Sequence, residues 1–224
     1  MVRIVRKLQS MNFTRSFSTE KSKPVFYTRW PIPPMNILKF NTDASVKGHE
    51  SKCAFVARVH GGKYADGIMG GKSSLGKWVI GGFRPLDNNT SIVASKIHGI
   101  LYAMEAGGKI IEKLPQPLHL WIESDEKAVV GAANGENDIK SEYRDMVNEI
   151  VHKKEELEKN NIVCLFSFIK GEANGVAHLL ARLDSKKVLD MPTVEDVPED
   201  IRDEVVKVLE SDSMGTKYQI KKRR

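Results

Sequence analysis

The sequence predicts an α/β fold: one five-stranded mixed sheet, three strands antiparallel and then two parallel, flanked by helices. Two observations carry this reading. Three strand-like apolar runs, residues 37–44 (ILKFNTDA), 52–59 (KCAFVARV) and 77–83 (KWVIGGF), follow one another across Gly-containing turns, the pattern of an antiparallel meander. Beyond Thr90 the hydrophobic period becomes helical, and helices then alternate with two further strand-like runs. That alternation is the mark of β-α-β crossovers, whose strands are parallel.

Taken in order, residues 24–34 (PVFYTRWPIPP) are proline-punctuated and extended. The meander follows, its second turn (residues 60–76) long, basic and glycine-rich. Between Thr90 and Glu112, Val93, Ile97, Ile100, Leu101 and Met104 recur at helical spacing. A short strand is expected over 118–123 (LHLWIE) and a short helix over 125–134. Residues 141–160 read as a longer helix with Tyr143, Val147, Ile150 and Val151 as its buried stripe and alternating charges on a solvated face. The apolar run 161–169 (NIVCLFSFI) is the fifth strand, and a helix over 173–184 closes the domain. Trp121, Phe166 and Phe168 are expected in the core, and Trp30 and Trp78 are expected to pack rather than stack on bases. The resulting division is a leader over 1–18, an extended lead-in over 19–36, the α/β domain over 37–184, and an appendage over 185–224 with a short helix (201–210) and a basic tail.

The chain is 224 residues long, 41% hydrophobic and 29% charged, which excludes a wholly disordered or disulfide-stapled protein. No apolar run approaches the roughly 18 residues of a membrane-spanning helix, so no membrane partner is expected. The net charge of +6 is unevenly placed. Arg3, Arg6, Lys7, Arg15, Lys21 and Lys23 face only Glu20 in the first 24 residues, and Lys217, Lys221, Lys222, Arg223 and Arg224 face no acid in the last eight. The middle of the chain is therefore mildly acidic, and the basicity belongs to its ends. The N-terminus is amphipathic, arginine- and serine-containing and acid-poor, the character of a mitochondrial transit peptide, with a plastid one as the second reading and a retained basic arm as the third. Arg15-Ser16-Phe17-Ser18 resembles a processing site cut after Phe17. The apolar stretch of a secretory signal is missing, and Cys53 and Cys164 lie in apolar runs as small buried thiols.

Four segments carry more specific information. They are Trp30-Pro31-Ile32-Pro33-Pro34 with Leu38-Lys39-Phe40-Asn41-Thr42-Asp43-Ala44-Ser45; Trp78 with Gly82-Phe83; Glu123-Ser124-Asp125; and Glu172-Ala173-Asn174-Gly175-Val176-Ala177-His178-Leu179-Leu180-Ala181. In this order and spacing they resemble ribonuclease H, most closely its plant reverse-transcriptase-like family, over residues 30–182. The resemblance implies an RNase H-like fold and, in the family, hydrolysis of RNA in RNA–DNA hybrids by two Mg²⁺ held by four carboxylates. Asp43 and Asp125 match two of the four. At the first-helix position the acid is replaced by Lys96 (a one-residue slip places Ser95 there), and no acid lies between Asp87 and Glu105. Lys96 shares a helical stripe with Ile92, Ile100 and Ala103, which points it at the sheet. On the last helix His178 stands where Asp is common; plant members also carry His there, but histidine is a poor Mg²⁺ ligand.

The expectation is a remnant site, Asp43 and Asp125 with Lys96 and His178 in place of acids, in which the ammonium supplies the charge a metal would supply. No metal or other cofactor is expected, with Asp43 and Asp125 as the ligands if any is held. The expected function is RNA or ribonucleoprotein binding by a catalytically degenerate domain in mitochondria, the mitochondrial ribosome being its most concrete setting. Lys63 and Lys72 of the long loop and Lys217, Lys221, Lys222, Arg223 and Arg224 of the tail are the expected phosphate contacts. Two alternatives remain: an active Mg²⁺-dependent ribonuclease H, and a protein–protein adaptor that uses its acidic body.

Overall fold

The computed structural model describes residues 25–61, 76–113 and 119–220, together with the backbone of Thr14–Arg15. In chain order the elements are β1 (Thr14–Arg15), β2 (Phe26–Thr28), β3 (Ile37–Lys47), β4 (Glu50–Val59), β5 (Lys77–Leu86), α1 (Ile92–Ile111), β6 (His119–Ser124), α2 (Lys127–Ala133), α3 (Arg144–Lys159), β7 (Cys164–Phe168), α4 (Gly175–Ala181), β8 (Leu189–Met191), α5 (Glu199–Ser213) and β9 (Tyr218–Gln219). The main sheet has the order β7-β6-β3-β4-β5-β8, and a small second sheet has the order β1-β2-β9.

Strands β3, β4 and β5 form the expected antiparallel meander, and β6 and β7 add in parallel beside β3. Gly48, at φ +62°, supplies the left-handed residue of the tight loop that pairs Lys47 with Glu50. The main sheet differs from the expected five strands by one. Leu189–Met191 pairs antiparallel with Gly81–Phe83 as a sixth strand, drawn from the segment read as an appendage. Without it the outer edge of β5 would present unpaired backbone N–H and C=O groups. Three residues are too few to show a period of two in the sequence.

The two faces of β3 meet different surroundings. Leu38, Phe40 and Ala44 join the main core, where α1 packs Ile97, Ile100, Leu101 and Met104 against the sheet. Each such fully buried aliphatic side chain contributes about 1.5–3 kcal/mol. Ser91 caps α1, its hydroxyl accepting from the Ala94 N–H at 3.2 Å. At Gly107 the helix approaches β6 so closely that a Cβ would lie 2.9 Å from Leu120 Cδ2. The opposite face is covered by α4, and α5 packs over α4. There Val176, Ala177 and Leu180 meet Trp78, Met191, Val197 and Val205 in a second apolar cluster. Residues 189–213 thus fold onto the domain rather than hang from it. Trp30 and Trp78 are buried as expected, and Trp78 Nε1 donates to the Met191 carbonyl at 3.0 Å. Phe166 is core, but Phe168, at the end of β7, is only half-buried.

Candidate functional site

Parallel pairing of β3 with β6 aligns Thr42 with Ser124, which brings the next residues, Asp43 and Asp125, side by side at the carboxyl end of the sheet. Lys96, in the first turns of α1, reaches both. Its Nζ lies 2.5 Å from Asp125 Oδ1 and 3.5 Å from Asp43 Oδ1. Asp43 Oδ1 also accepts from the Ala44 N–H at 2.8 Å. From α4, His178 Nδ1 lies 2.9 Å from Asp43 Oδ2, so both oxygens of Asp43 are engaged. The four residues singled out in the sequence therefore meet at one point. Lys96 is 9% exposed, whereas more than half of the His178 side chain is open to solvent.

The electrostatics follow from these distances. Burial draws Lys96 down, but the carboxylates of Asp125 and Asp43 and the hydrogen bond to Asp125 outweigh it and hold it above its ordinary value. It is an ammonium at neutral pH. Burial and the neighbouring Asp43 push Asp125 upward against the pull of Lys96. The hydrogen bond to Asp43 raises His178 above 6.5 despite partial burial. The His178–Asp43 pair therefore stabilises the fold below about pH 6.5, and that contribution is lost as pH rises through the folded-state value. In an NMR titration the His178 ring is expected to titrate above 6.5, and to return toward 6.5 in Asp43→Asn. An unchanged midpoint in the variant would exclude the pairing.

This donor set does not fit two divalent cations. The inner face of the pair is occupied by an ammonium that repels them, and the remaining partner is an imidazole rather than a third carboxylate.

Asp43, Asp125 and His178 line a cleft of about 640 Å³, with Glu126, Lys127, Phe168, Lys170, Glu172 and Ile220 on its walls. Beneath it lies a buried polar cluster that sequence reasoning did not anticipate as a unit. Lys39 Nζ, fully buried, pairs with Glu123 at 2.8 Å, donates to the Pro31 carbonyl, and sits over the rings of Trp30 and Trp121. Asn41 donates to Glu123 at 2.9 Å and accepts from Trp30 Nε1 at 2.8 Å. Arg58 stacks 3.5 Å from the Trp30 ring centroid and pairs with Asp212 of α5 at 2.7 Å, and Asp212 accepts from the Tyr218 hydroxyl at 2.8 Å. Two cations and two anions thus cancel inside the protein. Burial lowers Lys39 to about 8 even against Glu123. The signal available in the sequence was Lys39 and Asn41 alternating with Leu38 and Phe40, which marks a polar face but not its burial.

Of the expected phosphate contacts, Lys217 is exposed beside β9. Lys63, Lys72, Lys221, Lys222, Arg223 and Arg224 lie outside the described residues, as does the leader apart from Thr14–Arg15, whose backbone pairs with Phe26–Tyr27. Cys53 and Cys164 are buried thiols, each pushed up to about 12 by burial.

The chain is similar to RNase H1 from the archaeon Halobacterium salinarum (13% identity, TM-score 0.48, covering 64% of this chain and 93% of that one). It is also similar to LC11-RNase H1, solved in complex with an RNA/DNA hybrid (16% identity, TM-score 0.48, covering 64% and 92%), and to the N-terminal RNase H domain of a Mycobacterium tuberculosis protein (13% identity, TM-score 0.46, covering 64% and 91%). No protein of curated function matches it. The sequence profile of the reverse transcriptase-like family matches residues 72–183, half of the chain, from the end of the long loop through α4; β3 and Asp43 precede the match, and pairing of β3 with β6 places Asp43 beside Asp125 within it. The chain belongs to the reverse transcriptase-like family, whose domain is RNase H-like.

Proposed function

We propose that this is a catalytically degenerate RNase H-like domain that binds RNA or a ribonucleoprotein and does not cleave it. The observation that carries the reading is Lys96 Nζ between Asp125 and Asp43, 2.5 and 3.5 Å away. An ammonium built into the chain offsets one of the two charges of the pair that would otherwise hold divalent cations, and it does so without the coordination sites from which a metal activates water. Binding then rests on the basic tail and the long loop, because the folded body itself is acidic.

The setting follows from the N-terminus. Its arginine-rich, acid-poor composition supports mitochondrial import, and a small domain with a basic tail suits a structural component of the mitochondrial ribosome. Two assays test the reading. The purified chain is expected to leave an RNA–DNA hybrid intact in Mg²⁺ or Mn²⁺; cleavage abolished by Asp43→Asn would establish the active enzyme instead. The tagged protein is expected to co-sediment with mitochondrial ribosomal subunits in a density gradient. Recovery only from free fractions would exclude the ribosomal setting.

A further inference from the structure

We propose that β9 is a strap that closes one end of the cleft and swings away as a unit about Gly215 while α5 stays docked, so that the chain itself gates access to the cleft. Gating of this kind acts on access alone, whatever the cleft binds, and goes beyond the reading above. Ile220, directly after β9, forms part of the cleft wall. It stands there because its N–H donates to the Phe26 carbonyl at 2.9 Å and the two residues before it pair with β2, Tyr27 with Gln219 and Thr28 with Tyr218. These strands belong to the small sheet, so the pairing that holds the strap is separate from that of the main sheet.

The link between α5 and β9 has the construction of a hinge. The helix completes its own hydrogen bonding before the strap begins. The Gly215 N–H donates to the Asp212 carbonyl and the Thr216 N–H to the Ser211 carbonyl, each at 3.0 Å, which is how a helix closes on a left-handed residue. Gly215 supplies that residue at φ +70°, and a Cβ there would meet nothing within 4 Å. Met214, Thr216 and Lys217 beside it are exposed, so turning the link uncovers little.

Tyr218 is the latch. Its hydroxyl donates to Asp212 Oδ1 at 2.8 Å, and its ring packs against the cluster of Trp30, Ile169 and Ala173. Arg58 uses the other oxygen of the same carboxylate, Oδ2 at 2.7 Å, so the ion pair that fixes α5 survives when Tyr218 leaves. A two-residue strand held in this way belongs to the low end of the range of local stabilities, where opening precedes global unfolding. Opening takes Ile220 out of the cleft wall and uncovers Ala173, which is 1% exposed with the strap closed.

The test is thiol labelling of the full chain with dithiobis(nitrobenzoate), mapped by peptide mass. Ala173→Cys places a thiol under the strap, and the native Cys53 and Cys164, 0% and 1% exposed, report global unfolding in the same sample. The introduced thiol is expected to react about tenfold or more faster than the native two. Tyr218→Phe is expected to speed it about fivefold further, the worth of one hydrogen bond, with the native thiols unchanged. Hydrogen exchange of the unsubstituted chain reads the same event without the new thiol. The Ile220 amide is expected to exchange about tenfold or more faster than the amides around Val205 in α5, and faster still in Tyr218→Phe. An introduced thiol no faster than Cys53 and Cys164, or as fast as in the denatured chain, would overturn the strap. So would a Tyr218→Phe effect shared by all three thiols, or exchange of Ile220 at the rate of α5.

Discussion

Asp212→Ala is expected to destabilise the protein by about 3–5 kcal/mol, far more than an ordinary substitution on a charged helix. Asp212 is the counter-charge of Arg58, at 2.7 Å, and both are 1% exposed. Removing the carboxylate leaves a guanidinium that cannot deprotonate inside the protein, held by Asn41 Oδ1 at 3.2 Å, the Trp30 ring and the charge of Glu123, with no directly paired anion among the described residues. The Tyr218 hydroxyl loses its acceptor at the same time. Chemical denaturation measures the loss directly. The double variant Arg58→Met with Asp212→Leu is expected to recover most of it, because a buried ion pair replaced by apolar groups of similar size is often neutral. A cost for Asp212→Ala below about 1 kcal/mol would mean that α5 does not anchor the domain.

Lys96→Ala is expected to cost about 3 kcal/mol at pH 7 and progressively less toward acid pH. The parent Lys96 is raised above 10.5, so the ammonium itself is present throughout the neutral and acid range, and it is lost only as pH rises through the folded-state value. Without it, Asp43 and Asp125 face each other at the carboxyl end of β3 and β6, with the partly exposed His178 left beside Asp43. Their repulsion is relieved when one of them takes up a proton, which is why the deficit shrinks as pH falls. Thermal melts between pH 4 and 8 follow this directly. A deficit independent of pH would show that Lys96 acts through packing rather than charge.

The segments of regular period were legible in the sequence. Leu38, Phe40 and Ala44 in β3, and Ile97, Ile100, Leu101 and Met104 in α1, face the core as their spacing predicts. Lys96 was legible for a related reason: its stripe with Ile100 and Ala103 pointed it at the sheet, and the structure places it against both aspartates. What was not legible depends on contacts between distant parts of the chain. Leu189–Met191 is too short to carry a period, and its strand character comes from the open edge of β5. Asp212 belongs to a helix rich in acids, and nothing local separates it from Glu210 or Asp203. Its partner Arg58 is 154 residues away. Lys39 alternates with apolar neighbours as it would on a half-solvated strand; Trp30, Trp121 and Glu123 enclose it only once the chain has folded.

The central claim is that Lys96 occupies the place of a metal between Asp43 and Asp125. Isothermal titration with Mg²⁺ of the parent chain and of the Lys96→Glu, His178→Asp double variant tests it most directly. The parent is expected to give no binding heat, and the double variant is expected to gain a saturable site that Asp43→Asn abolishes. Mg²⁺ binding by the parent that Asp43→Asn removes, or no site gained in a folded double variant, would contradict it.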